Sequence, residues 1–153
     1  MRCLELKIPP VVLVLLLGAT MGVTTRLVPV ADFTLPARRM FAAGVALAGL
    51  ATAGLGVMAF RRARTSFSPL RPEAASHLVC AGIYRRTRNP MYLGMLLLLL
   101  GWGALLANAL ALVFAVAFVP LMNRLQIGPE ERTLAERFGA EFAAYRAAVR
   151  RWI

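Results

Sequence analysis

From Met91 to Met122 the chain runs for 32 residues without one charged side chain. Water-soluble domains carry about a quarter charged residues, so a run of this length points to a bilayer. Two shorter runs of the same kind precede it, Ile8 to Thr25 and Met40 to Phe60. A single span needs roughly 20 apolar residues, and each of these two fits one span. The third run would be about 48 Å long as one helix, too long for one upright span and short for two full ones. Asn108, in Leu106-Ala107-Asn108-Ala109, lies near its middle. A hairpin of two short helices would place a polar turn there; one long tilted helix is the alternative. The composition, 59% hydrophobic and 16% charged, argues against both a soluble globular domain and a disordered chain.

The charge distribution favours the hairpin. The formal net charge is +11, and Lys7 is the single lysine among 18 basic residues. In a soluble chain this excess would suggest nucleic acid; here the arginines lie between apolar runs, as the positive-inside rule expects. With a hairpin, the N-terminus, the segment between the second and third runs, and the tail share one side and carry 15 of the 18 cations. Arg26, Arg38 and Arg39 lie on the other side. A single third span would split the charges 9 to 9. The rule therefore predicts four membrane helices with both termini cytoplasmic. No small-x-small cleavage site follows the first run, so it reads as a helix rather than a signal peptide. The arginine- and alanine-rich composition points to a bacterial inner membrane. Cys3 and Cys80 make no disulfide framework and read as free thiols.

The expected architecture is all-α: a single integral-membrane domain over residues 1–153. It has two spans in 1–62 and a chemistry-bearing part in 76–153, which comprises a helical hairpin and a C-terminal cytoplasmic amphipathic helix. Gly49-Leu50-Ala51-Thr52-Ala53-Gly54-Leu55-Gly56 loosely imitates a nucleotide loop. No strand precedes it, and small residues inside an apolar helix serve close helix approach.

Two segments are not explained by spanning alone. Ser76 to Gly94 holds His77, Tyr84, Arg85, Arg86, Arg88, the Asn89-Pro90 step and Tyr92. Pro90 suits a first helical turn, with Asn89 as its cap. The free N–H groups and partial positive charge of such a helix mouth would accept a carboxylate-bearing ligand. The second segment starts at Pro129-Glu130-Glu131, a helix start with acidic first-turn residues. Leu134, Phe138, Phe142, Tyr145, Val149 and Trp152 follow at spacings of four and three, as one apolar face. Arg132, Glu136, Arg137, Glu141, Arg146 and Arg150 take the opposite face, so the segment reads as an amphipathic helix on the membrane surface. A hairpin would bring the two segments together at the cytoplasmic boundary.

In these segments the chain resembles the isoprenylcysteine carboxyl methyltransferase family, within the wider phospholipid methyltransferase group. The resemblance rests on Leu78-Val79, Gly82-x-Tyr84 and Arg88-Asn89-Pro90-Met91-Tyr92-Leu93-Gly94. It continues with Ile127-x-x-Glu130-Glu131-x-x-Leu134, Phe138-Gly139, Tyr145, Val149 and Arg151-Trp152. It implies S-adenosylmethionine as methyl donor, with Ser76, His77, Leu78, Val79, Tyr84, Asn89, Pro90, Met91, Tyr92 and Glu130 around it. It also implies a lipophilic substrate that enters from the bilayer. Asn89 stands where the prenylcysteine branch has histidine, and keeps hydrogen-bonding capacity without a titrating charge. Gln126 stands where many relatives carry an arginine that meets the substrate, and Arg124 lies two residues away on another helix face. Glu130, Glu131, Arg124 and Gln126 form the candidate catalytic set, with the acceptor open among carboxylate, amine and thiol.

His77 reads as a solvated side chain, or as a base beside the cofactor. No other His or Cys lies at metal-ligand spacing, so no metal is expected. Two other functions remain in view: a sterol-type membrane reductase using NADPH, and a non-enzymatic membrane scaffold.

Overall fold

In the computed structural model, which describes residues 5–63 and 77–153, prolines open three of the helices. A proline there sacrifices an N–H that would lack a partner in any case. In chain order the helices are α1 (Pro10–Leu27), α2 (Arg38–Arg62), α3 (Pro90–Leu106), α4 (Ala109–Met122) and α5 (Gly128–Ala148). A π-helical turn, Asn123–Ile127, joins α4 to α5. Ser76 and Cys3 lie outside the described residues.

The long apolar run is a hairpin, as the charge count predicts. Ala107 takes a left-handed conformation (φ 53°, ψ 43°) and ends α3. Asn108 begins α4, and its Oδ1 accepts from the Ala111 N–H at 3.1 Å. Its Nδ2 donates to Asp32 Oδ1 at 2.7 Å and to the Val28 carbonyl at 3.1 Å. The Phe33 N–H donates to the Ala107 carbonyl at 2.8 Å. Asn108 is fully buried, and each hydrogen-bonding group of its amide has a partner, as an apolar setting demands. The α1–α2 connection and the hairpin turn thus share one end of the bundle. At the other end the Leu6 N–H donates to the Leu125 carbonyl at 3.0 Å, and Glu5 pairs with Arg132.

The core lies between α1, α3 and α4: Met21, Tyr92, Leu99, Ala111, Ala115, Phe118 and Met122, with Ile127 of the π turn. The outward faces are apolar too. Leu15, Leu16, Leu47, Leu50, Val113 and Val116 are all exposed, which suits contact with lipid rather than water. By length and composition α1, α2 and α4 with its continuation into α5 qualify as spans; α3, at 17 residues, is shorter and apolar. The apolar part of that continuation is α4, and the charged residues of α5 lie beyond it.

Two expectations need correction. The C-terminal segment is not one straight amphipathic helix running to Trp152. Gly139 breaks its geometry (φ 48°, ψ −118°), and the helix ends at Ala148, with Val149 extended. Phe142 of the apolar stripe is buried, while Val149 and Trp152 belong to a tail that folds back toward α3. Asn89 occupies the cap position of α3 without capping it: its side chain makes no bond to the helix N-terminus and instead donates to the Arg151 carbonyl at 2.9 Å.

The small-residue stripe of α2 serves close packing against α3. A Cβ at Gly94 would lie 2.6 Å from the Gly49 carbonyl oxygen and 2.8 Å from Ala53 Cβ, so the two backbones touch. Gly94→Ala should therefore destabilise the protein by about 1–3 kcal/mol through overpacking. Gly54, where an added Cβ meets nothing within 4 Å, should accept alanine with a gain of about 0.5–1 kcal/mol. Thermal unfolding of the two variants in detergent checks the contrast; equal midpoints would contradict it.

Candidate active site

The π turn and the first turn of α5 place two polar side chains on one face. Gln126 and Glu130 are four residues apart, and Gln126 Nε2 donates to Glu130 Oε1 at 2.9 Å. The phenol of Tyr92, reaching across from the first turns of α3, donates to the same oxygen at 2.5 Å. Gln126 and Tyr92 are buried, and Tyr92 belongs to the core. Burial drives the Glu130 carboxyl up to about 7, against the opposing pull of the hydrogen bonds from Tyr92 and Gln126. At neutral pH this group sits near its own midpoint, so it can hold a proton or a charge.

Its neighbour Glu131 meets a different environment. Arg88 Nη2 donates to Glu131 Oε1 at 2.7 Å, while Arg151 contacts both carboxylate oxygens, Nε to Oε1 at 3.1 Å and Nη2 to Oε2 at 2.5 Å. Burial would raise this carboxyl, but the bonds from Arg151 and Arg88 more than offset it and hold it below the usual range. Glu131 is therefore an ion-pair anchor and a weak base. Adjacent residues on a helix point about 100° apart, which sends one carboxylate into the apolar interior and the other to the arginines.

The remaining candidate residues divide in the same way. Pro90 and Met91 are buried in the first turn of α3. The buried Tyr84 packs edge-on against Phe60 of α2, with ring centroids 5.4 Å apart, and its carbonyl accepts from the Tyr145 phenol at 2.8 Å. Val79 is buried and Leu78 half-buried; His77 and Arg124 are exposed. Arg85 and Arg86 are exposed too, so of the three arginines before α3 only Arg88 turns inward. Sequence reasoning missed the roles of Arg88, Thr87, Arg151 and Asn123, whose Oδ1 accepts from Trp152 Nε1 at 3.1 Å. A partial signal was present: the chain has 7 acidic residues against 18 basic ones, so a buried carboxylate had many possible partners, none singled out by spacing.

A helical membrane bundle with a protonatable carboxylate held where two motif segments meet defines the class: an integral-membrane protein with a polar cluster at one end. Residues 37–141 match the phospholipid methyltransferase family, and the chain belongs to that family. A 63-residue stretch, 41% of this chain, is 43% identical to an uncharacterized protein of Haemophilus influenzae over 100% of that protein's length. No solved structure matches the chain.

The environment of Glu130 gives stability a definite pH dependence. Its folded value, about 7, lies above the ordinary carboxylate value of 4.5. The folded state thus binds more protons in that window, and this contribution is complete below about pH 4.5 and lost as pH rises through about 7. The thermal midpoint of wild type should fall across the window relative to that of Glu130→Gln. Glu131, whose value is lowered, adds a contribution lost only at lower pH. Parallel pH profiles of the two proteins between 5 and 8 would contradict this assignment.

Proposed function

We propose that this chain is an S-adenosylmethionine-dependent methyltransferase. It acts on a lipophilic small molecule that reaches the cytoplasmic end of the bundle from the bilayer. The observation that carries the reading is the Tyr92–Glu130–Gln126 cluster, assembled beside the mouth of α3 in a chain of the phospholipid methyltransferase family. The residues suit a zwitterionic donor. Glu130 offers a carboxylate for an ammonium, and the first turn of α3, uncapped by Asn89, offers backbone N–H groups for a carboxylate.

When bound, S-adenosylmethionine supplies a methyl group already activated on a sulfonium. The work left to the protein is to orient, to bind and to exclude water. Tyr92 and Gln126 fix the Glu130 carboxylate by hydrogen bonds to Oε1. An acceptor carboxylate is ionised at neutral pH and needs no base. An amine or thiol must lose a proton, and Glu131, whose charge is held by Arg88 and Arg151, is a poor acceptor for it.

Glu130→Gln should lower methyl transfer at least tenfold, a loss of about 1.4 kcal/mol in transition-state stabilisation. Glu131→Gln should act mainly on stability. The assay is incubation with methyl-labelled cofactor and total membrane lipid, alongside calorimetric titration of the protein with S-adenosylmethionine and, separately, NADPH. Binding of NADPH alone would replace this reading with the reductase one. Binding without turnover on any lipid extract would favour the scaffold.

The orientation belongs to the same proposal. Among the described residues, 12 of 15 cations lie in the segments on the side of the site, and Arg26, Arg38 and Arg39 lie on the other. Reporter fusions should place Asp32 outside and the C-terminus in the cytoplasm. A C-terminus found outside would put the site on the wrong side for a cytoplasmic cofactor.

A further inference from the structure

The last residues of the chain are sewn onto the segment that enters α3. The Arg88 N–H donates to the Arg150 carbonyl at 3.0 Å, and Arg88 Nη1 to the carbonyls of Arg146, at 3.1 Å, and of Val149. Thr87 Oγ1 and Asn89 Nδ2 both donate to the Arg151 carbonyl, at 3.3 and 2.9 Å. Three consecutive tail carbonyls, 149 to 151, thus accept from three consecutive residues, 87 to 89.

Arg151 acts at both ends of this junction. Its carbonyl holds Asn89, and its guanidinium holds both oxygens of Glu131. Asn89 is three residues before Tyr92, and Glu131 is next to Glu130. The position of Arg151 therefore sets the first turn of α3 against the first turn of α5, the two turns whose side chains meet at Glu130. Arg88 also pairs with Glu131 Oε1, with 9% side-chain exposure against 36% for Arg151. The more exposed arginine is the one that can be altered without leaving a deeply buried charge unpaired.

We propose that Arg151 is a positioning residue for the cofactor half of the site: through Glu131 and Asn89 it fixes the distance between the mouth of α3 and Glu130. It touches neither reactant. The inference rests on the methyltransferase reading above. Loss of this register weakens the grip on S-adenosylmethionine, while a lipid acceptor that enters from the bilayer is held by other surfaces.

The test uses the full chain in detergent, with calorimetric titration by S-adenosylmethionine and steady-state kinetics on total membrane lipid. Arg151→Gln should raise the cofactor KM at least tenfold and leave the apparent KM for the lipid extract within twofold. Arg151→Lys should fall between it and wild type, because an ammonium cannot hold both carboxylate oxygens as a guanidinium fork does. Arg39→Ala, at an exposed arginine in the first turn of α2 at the opposite end, should match wild type. Unchanged cofactor KM in a folded Arg151→Gln protein overturns the positioning role, as does an equal rise in both KM values. If both Arg151 variants fail to fold, the residue is a stability element and the role is likewise overturned. A wild-type protein that does not bind S-adenosylmethionine overturns the methyltransferase reading and this one with it; wild-type binding with an unaffected variant overturns the positioning role alone.

Discussion

The buried amide of Asn108 is the contact on which the rest of the architecture depends. In an apolar interior an unpaired amide costs several kcal/mol, so the turn at this residue forms only where partners exist for it. Those partners are the Ala111 N–H, the Val28 carbonyl and the Asp32 carboxylate. Through them the hairpin is locked to the α1–α2 connection, and the chain is returned to the end from which α3 began. Without that return, α5 would emerge on the far side and Glu130 could not meet Tyr92. A polar knot at one end of the bundle thus creates the possibility of a polar site at the other.

At the site end, two neighbouring carboxylates are given opposite properties by their surroundings. Glu130 faces an uncharged pair of donors in the core, and burial raises it. Glu131 faces two guanidinium groups, and they lower it. Pairs of titratable groups driven apart in this way divide the tasks of a site between them. Here one is free to respond to a ligand, while the other ties α5 to the tail and to the entrance of α3. The π turn contributes by bringing Gln126 onto the face of Glu130. Extra residues of this kind in a helix are found frequently at functional positions.

Much of this was legible in the sequence because membrane constraints are one-dimensional. Uncharged runs and arginine distribution were enough to give the spans, the hairpin and the polar turn at Asn108. The small residues of α2 were legible as a packing face, although not their partner, Gly94 of α3. The pairing of the Asn89 and Glu130 segments followed from topology. What could not be read were contacts set by the direction of individual side chains. Asn89 looked like a helix cap because residue type and position suit one, yet a carbonyl 62 residues later claims its amide. The amphipathic stripe to Trp152 was sound as a periodicity, but Gly139 redirects the chain, and the tail exchanges helical hydrogen bonds for bonds to residues 87–89. The resemblance set Glu130 beside the cofactor and left Glu131 without a named partner. The arginines that hold Glu131 were not legible, since any of 18 cations could have filled that role.

The central claim is that the donor sits against Tyr92 and Glu130. The most direct measurement is ultraviolet cross-linking of the purified protein with methyl-labelled S-adenosylmethionine, followed by mapping of the labelled peptide. The account predicts label in peptides spanning residues 89–92 or 126–130, competed away by excess unlabelled cofactor. Label confined to the opposite end, in the Leu35–Met40 segment beside the α2 start, or no competable label at all, would contradict it.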